Sequence, residues 1–149
     1  MIITILGEPQ GKARARVVRN KYTGKNHSFT PEKTELYENL IKLEYKNQGG
    51  EYFGFSDDSK IKKNVSVVIR AYYGIPQSFS KKKKTLAESN SIRPSKKPDA
   101  DNIAKVVCDA LNGIAYIDDT QVVSLSVSKY YSDIPRVEIE AQEIKGGRL

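Results

Sequence analysis

The segment from Lys97 to Val123 reads KPDADNIAKVVCDALNGIAYIDDTQVV and concentrates acidic side chains in a chain that is otherwise basic. At about 100° per residue, the apolar side chains from Ile103 to Ile114 share one face of a helix. Polar side chains at a spacing of about four residues share the opposite face, where Asp109 can form an ion pair with Lys105. The segment therefore predicts an amphipathic helix with five aspartates on it or close to its ends: Asp99, Asp101, Asp109, Asp118 and Asp119.

Both ends of this helix are marked by residues that start or stop helices. Pro98 cannot continue a helix from upstream, and Asp99 or Asp101 can cap the N–H groups of the first turn. Asn112 and Gly113 provide the stop at the other end. The predicted helix thus lies between two short acidic motifs.

The second acidic pair, Asp118 and Asp119, lies in a sequence that is typical of a turn. A predicted strand from Gln121 to Tyr131 follows it. A turn at this point can return both carboxylates to the start of the helix. Converging carboxylates repel one another unless some are protonated or a cation lies among them. Magnesium is the natural candidate, because it prefers oxygen ligands, whereas one histidine and one cysteine are too few for an ordinary zinc site.

The motifs of this segment resemble the core of the RusA-type Holliday-junction resolvases. They are PDADN, the lysine four residues after its second aspartate, the later DAL, and IDDTQVV. The resemblance implies that Asp99, Asp101 and Asp119 are the essential metal-binding and catalytic acids. It also implies that Asp118 is an accessory metal-binding acid and that Lys105 is a catalytic or phosphate-contacting base.

The same resemblance implies an activity and an assembly. It implies a magnesium-dependent endonuclease, with Mn²⁺ able to substitute, that resolves four-way junction DNA by paired nicks in recombination and repair. It also implies a homodimer, since two symmetric sites suit a four-way junction. In some members a basic residue directly precedes the first aspartate, but here Pro98 follows Lys96 and Lys97, which we expect to contact DNA.

The charge of the chain supports a nucleic-acid partner. Its 149 residues include 25 Lys and Arg against 18 Asp and Glu, a formal net charge of +7. Near the N-terminus, Lys12, Arg14 and Arg16 alternate with small apolar residues and would project from one side of an extended chain. We interpret this stretch as a phosphate-binding arm; the alternative is a solvated edge strand whose charges deter aggregation.

The remaining patterns predict the element order β, α, β, α, α, β, β. A helix begins at Thr30 and Pro31, and a short helix follows the capping residue Ser78 or Ser80. Between them a strand covers 64–74, with Val65, Val67 and Ile69 on one of its two alternating faces. We interpret 89–97 as a flexible basic segment that can close over substrate. The whole chain, 1–149, is predicted to be one α/β (α+β) domain, with helices mainly on one face of a mixed four-stranded sheet.

Two other function classes stay open on the sequence. One is a junction-binding protein without catalysis, in which the acids only cap the helix and form a turn. The other is a nucleotide-sugar transferase, because Asp-x-Asp can hold a metal and a diphosphate. No apolar run approaches the roughly 20 residues that span a membrane and no signal-peptide pattern is present, so we expect a cytoplasmic protein without a membrane partner.

Overall fold

A computed structural model of the chain describes residues 1–13, 16–29, 31–58 and 60–146. The elements follow in the order β1 (Ile3–Leu6), β2 (Arg16–Arg19), β3 (Asn26–Phe29), α1 (Glu32–Asn47), β4 (Val65–Gly74), α2 (Lys81–Glu88), α3 (Ala100–Ala110), β5 (Val122–Ser132) and β6 (Arg136–Glu143). A single 3₁₀ turn, Asp119–Gln121, precedes β5. The predicted order is confirmed, and the hairpin β2–β3 is an addition to it.

Four strands form the main sheet, in the order β1-β6-β4-β5. β4 pairs in parallel with β5 and antiparallel with β6, and β6 pairs antiparallel with β1. The mixed four-stranded sheet of the predicted α+β fold is therefore confirmed. β2 and β3 form a separate two-stranded sheet.

The core lies between one face of the sheet and the helices α1 and α3. β4 alternates strictly, with Val65, Val67 and Ile69 fully buried and Arg70 and Tyr72 half-buried on the other face. This period of two is what a strand with one covered face requires. α1 packs against α3 and β1, and α3 packs against β5, so the two longer helices cover the buried face.

The helix ends match the sequence patterns in part. Ser80 caps α2, with its hydroxyl oxygen accepting a hydrogen bond from the backbone N–H of Lys83 at 3.2 Å. Asp99 holds the cap position of α3 without a side-chain cap hydrogen bond, so the predicted capping by this carboxylate is wrong. α1 begins at Glu32 with Pro31 at its cap position, one residue later than predicted, and Thr30 lies outside the described residues.

The segment 89–97 is fixed against the sheet, contrary to the flexible segment that we expected. The Nε of Arg93 donates to the backbone oxygen of Lys129 at 2.8 Å, and Pro94 is buried. In return, the Nζ of Lys129 donates to the backbone oxygen of Lys96 at 2.7 Å. The composition of the segment is polar, but these contacts to β5 could not be read from it.

Truncation of the fully buried Ile69 tests the assignment of the core. We expect Ile69→Ala to lower the free energy of unfolding by about 2–5 kcal/mol, because a cavity is left in the buried core. The control Ile61→Ala makes the same change at a side chain that is 66% exposed and should stay within about 0.5 kcal/mol. Denaturant unfolding of both variants measures the difference, and equal losses would contradict the placement of the core.

Candidate active site

Asp99 and Asp101 stand at the start of α3, where both are exposed. The backbone just before them is held by Tyr73 of β4, whose hydroxyl donates to the backbone oxygen of Pro98. Burial raises the pKa of Tyr73 well above its usual range, and the nearby negative charge of Asp99 adds to the rise. The hydroxyl therefore stays protonated and keeps its role as a donor to Pro98.

The N-terminal loop is pressed against the same helix start. The backbone N–H of Lys12 donates to the backbone oxygen of Asn102 at 3.0 Å. A Cβ on Gly11 would lie 2.9 Å from the Cβ of Asn102 and 3.0 Å from that of Pro98. Glycine is needed here because of this close approach, which fixes the position of the loop relative to Asp99 and Asp101.

A cleft of about 470 Å³ lies between this loop, the start of α1 and the start of α3. Its lining includes Lys12, Lys33 and Lys97, and none of the described residues that line it is acidic. Such a lining suits an anion, and Pro98 and Asn102, which also line the cleft, flank the two exposed aspartates in the chain. Another cavity, of about 500 Å³, lies between β1, the end of α1 and β6 and contains none of the predicted site residues.

Lys12 is ion-paired, although the sequence suggested a free phosphate contact. Its Nζ lies 2.6 Å from Glu38 Oε1 and 3.4 Å from Asp109 Oδ2. Partial burial lowers the pKa of Lys12, but the two carboxylates outweigh it and raise the pKa above its ordinary value. The other oxygen of Asp109 lies 3.2 Å from the Nζ of Lys105, so the predicted pair is present. Lys105 itself remains 62% exposed.

The second acidic motif is held by Gln121, which the sequence analysis did not single out. Its side-chain oxygen accepts hydrogen bonds from the N–H groups of Ile117 and Asp118, at 2.8 and 3.1 Å. Its amide nitrogen donates to the backbone oxygens of Phe53 and Lys63, both at 3.0 Å. Gln121 is only 3% exposed, and a buried glutamine with four such partners fixes the turn rather than meeting solvent.

Asp118 and Asp119 differ in their surroundings. The hydroxyl of Thr120 donates to Asp118 at 2.7 Å and holds the pKa of that carboxyl below its ordinary value. Burial raises the pKa of the Cys108 thiol, and the negative charge of Asp119 adds to this rise. Asp119 is the first residue of the 3₁₀ turn that precedes β5.

The acids do not form one preassembled metal centre. Among residues 1–13, 16–29, 31–58 and 60–146, no three side chains of His, Cys, Asp or Glu form a group able to hold a metal ion. The predicted convergence of four carboxylates is therefore not found. One or two of these carboxylates would fit a magnesium ion whose other ligands are phosphate oxygens and water molecules. The metal-binding and catalytic roles of Asp99, Asp101, Asp118, Asp119 and Lys105 stay predictions.

The predicted DNA contacts lie in two parts of the chain. Arg14 falls outside the described residues, and Arg16 is the first residue of β2 in the small hairpin. Lys96 and Lys97 are exposed in the fixed segment that leads directly into Asp99. Their proximity to the acids agrees with contact to substrate, and these roles also stay predictions.

Comparison with known proteins identifies the family. The model of the family described as endodeoxyribonuclease RusA matches residues 7–142. The chain belongs to the RusA family. An uncharacterized protein of Bacillus subtilis (strain 168), YqaN, is 40% identical over 144 residues, which is 95% of this chain and 94% of that protein.

RusA membership implies a Holliday-junction nuclease activity and binding of junction DNA. The matched residues include the N-terminal loop, the lysine-lined cleft and both acidic motifs. Within the described part of the chain, no helix has the length and apolar character to cross a membrane.

Substitution of Gly11 tests the close approach of the loop. We expect Gly11→Ala to destabilise the protein by about 1–3 kcal/mol, because the new methyl group would overlap the first turn of α3. The control Gly146→Ala adds a methyl group with no atom within 4 Å and should be nearly neutral. Thermal unfolding of both variants measures this, and a Gly11→Ala protein as stable as the control would refute the packing.

Proposed function

We propose that the chain is a magnesium-dependent endodeoxyribonuclease that resolves Holliday junctions by paired nicks, in DNA recombination and repair. The observation that carries the proposal is the RusA family match over residues 7–142. Two further observations support it: the exposed acids at the start of α3 and the lysine-lined cleft beside them. Metal-dependent hydrolysis of a phosphodiester needs acidic side chains that hold the metal ion. It also needs positively charged side chains close by that hold the DNA backbone.

The ion would be held by Asp99 and Asp101 together with phosphate oxygens of the DNA, with Asp119 as the third acid and Asp118 as an accessory one. Mn²⁺ would substitute for Mg²⁺ at these oxygen ligands. When bound, the ion supplies polarisation of the phosphoryl group and a more acidic water molecule. The exposed position of Asp99 and Asp101 lets a phosphate reach both carboxylates without a change in α3.

Lys105 would offset the charge that grows on the phosphate during cleavage. It lies one helical turn after Asp101 on the same polar stripe and is 62% exposed. Asp109 orients Lys105, since its Oδ1 lies 3.2 Å from the Nζ of the lysine. Asp109 also contacts Lys12, which in turn pairs with Glu38, so the charges alternate along this chain of contacts. Because Lys12 offsets part of the charge of Asp109, Lys105 can still act on substrate as a cation.

We expect Asp101→Asn to abolish cleavage while junction binding persists. The substitution removes one carboxylate from the start of α3 and should lower the nicking rate by roughly 10²-fold or more. Labelled four-way junction DNA with magnesium measures nicking, and the same DNA in EDTA measures binding. Asp57→Asn, which changes an exposed aspartate outside both acidic motifs, is the matched control. An Asp101→Asn protein with full activity would remove the assignment.

One observation favours a second candidate, a junction-binding protein without catalysis. It is the absence of a three-acid group among the described residues, since a protein that never binds a metal has no need of one. Wild-type protein that binds junction DNA but makes no nicks with Mg²⁺ or Mn²⁺ would favour this candidate over the nuclease.

We also propose a cytoplasmic homodimer, with one site on each subunit. β5 has β4 as its one neighbour in the described part of the main sheet, so its outer edge is open to pairing. Residues 93–96 cover the second half of this edge, whereas Val123 and Leu125 in the first half are 57% and 47% exposed. An uncharged strand edge with two exposed apolar side chains supports contact with a second copy of the chain.

Light scattering tests the assembly, and we expect a mass about twice the 16.7 kDa of one chain. Leu125→Lys should shift the protein toward the single-chain mass, because it places a charge at the open edge. Leu36→Lys is the matched control, since Leu36 on α1 is 62% exposed. A wild-type protein at the mass of one chain would overturn the dimer, and dissociation by Leu36→Lys alone would overturn this choice of surface.

A further inference from the structure

Five cations surround the end of β5 and the segment that crosses its edge. The five are Lys83, Arg93, Lys96, Lys97 and Lys129. Within the described part of the chain, none of them has an acidic partner. We call this surface the edge patch. Lysines elsewhere in the described part of the chain, such as Lys42 and Lys46, also lack an ion pair. What distinguishes the edge patch is that its cations gather around one strand end, where Arg93 and Lys96 both contact Lys129.

The side chains of the edge patch are held in place by contacts that leave donors free. The guanidinium of Arg93 stacks 4.3 Å from the ring centre of Tyr130 while its Nε donates to the backbone oxygen of Lys129. Arginine carries five N–H donors, so the outer nitrogens stay available. A stacked, hydrogen-bonded arginine loses little freedom when it binds a ligand.

The lysines are oriented in a similar way. The Nζ of Lys129 donates to the backbone oxygen of Lys96 and lies 5.1 Å from the ring centre of Tyr73. On α2, the Nζ of Lys83 lies 4.2 Å over the ring of Phe79. These cation–π contacts hold each ammonium group next to an aromatic ring instead of a carboxylate.

The aromatic rings on the open face of the sheet are already occupied. Tyr72 stacks on Tyr130 at 5.4 Å and also carries the guanidinium of Arg136 at 3.9 Å. Tyr130 in turn carries Arg93. Surfaces that bind single strands offer free aromatic faces to the bases. Here the cations have no carboxylate partner, whereas the faces of Tyr72 and Tyr130 are covered by each other and by arginines. This arrangement favours recognition of phosphates on a duplex.

The edge patch leads directly into the candidate active site. Residues 93–97 continue into Pro98, whose backbone oxygen is bound by Tyr73, and then into Asp99. A duplex whose phosphates lie on the patch would therefore bring an adjacent phosphate to the acids at the start of α3.

We propose that the edge patch binds the phosphate backbone of a duplex arm of the substrate, next to the strand that is cut, and does so without magnesium. This inference rests on the proposed function and adds to it a surface that includes Lys83, Arg93 and Lys129. Each phosphate contact releases condensed counterions. The contribution of the patch to DNA affinity should therefore fall as the salt concentration rises.

The experiment compares two triple variants that each remove three positive charges. Lys83→Gln, Arg93→Gln and Lys129→Gln together remove three cations of the patch. Lys42→Gln, Lys46→Gln and Lys60→Gln remove lysines elsewhere that, among the described residues, also have no ion pair. Binding to four-way and linear duplex DNA is measured in EDTA over a series of salt concentrations. The patch variant should lower the slope of log affinity against log salt by about 2–3 and weaken binding roughly tenfold or more. The control should lower the slope by less than about 1.

Each outcome decides the inference. Equal slopes for the two triple variants, or a larger effect on single-stranded than on duplex DNA, would overturn it. Because Arg93→Gln also loses a bond to β5, Lys83→Gln alone is measured as well and should lower the slope by about 1. Wild-type protein that binds but never nicks would refute the proposed nuclease while the patch inference stands. Wild-type protein that nicks, with binding indifferent to the patch, would refute only the patch.

Discussion

The burial of α3 against the sheet is the constraint on which the candidate site depends. Ile103, Val106 and Val107 are fully buried, and each such side chain stabilises the fold by about 1.5–3 kcal/mol. Rotation of the helix by even one residue would expose part of this face. The core therefore fixes the direction of the opposite face, and the polar stripe with Asp101 and Lys105 points outward as a consequence of packing.

Contacts from distant parts of the chain then set the position of the helix start. The loop at Gly11 packs on Asn102, and Tyr73 of β4 binds the backbone just before Asp99. Gln121 ties the second acidic motif to backbone oxygens more than 50 residues earlier in the chain. Each hydrogen bond contributes only about 1 kcal/mol, but together they leave the exposed acids few alternative positions.

Local patterns in the sequence were sufficient for part of this structure. The alternation in β4, the Ser80 cap and the Lys105–Asp109 pair depend on residues within four positions of one another, and each was predicted. The pairing of Lys12 with Glu38 and the attachment of Arg93 to β5 join residues 26 and 36 positions apart. Without the fold, a lysine that binds a carboxylate looks the same in sequence as one that binds phosphate.

The separation of the acids has a consequence for the proposed chemistry. Within the described part of the chain, no three acidic side chains form a group able to hold a metal ion, so the free protein avoids the repulsion of clustered carboxylates. Two carboxylates leave most of the shell of a magnesium ion open, and phosphate oxygens are the ligands that fill it. In the proposed mechanism, DNA must therefore raise the affinity for the ion. By thermodynamic linkage, the ion must raise the affinity for DNA at the site by the same factor.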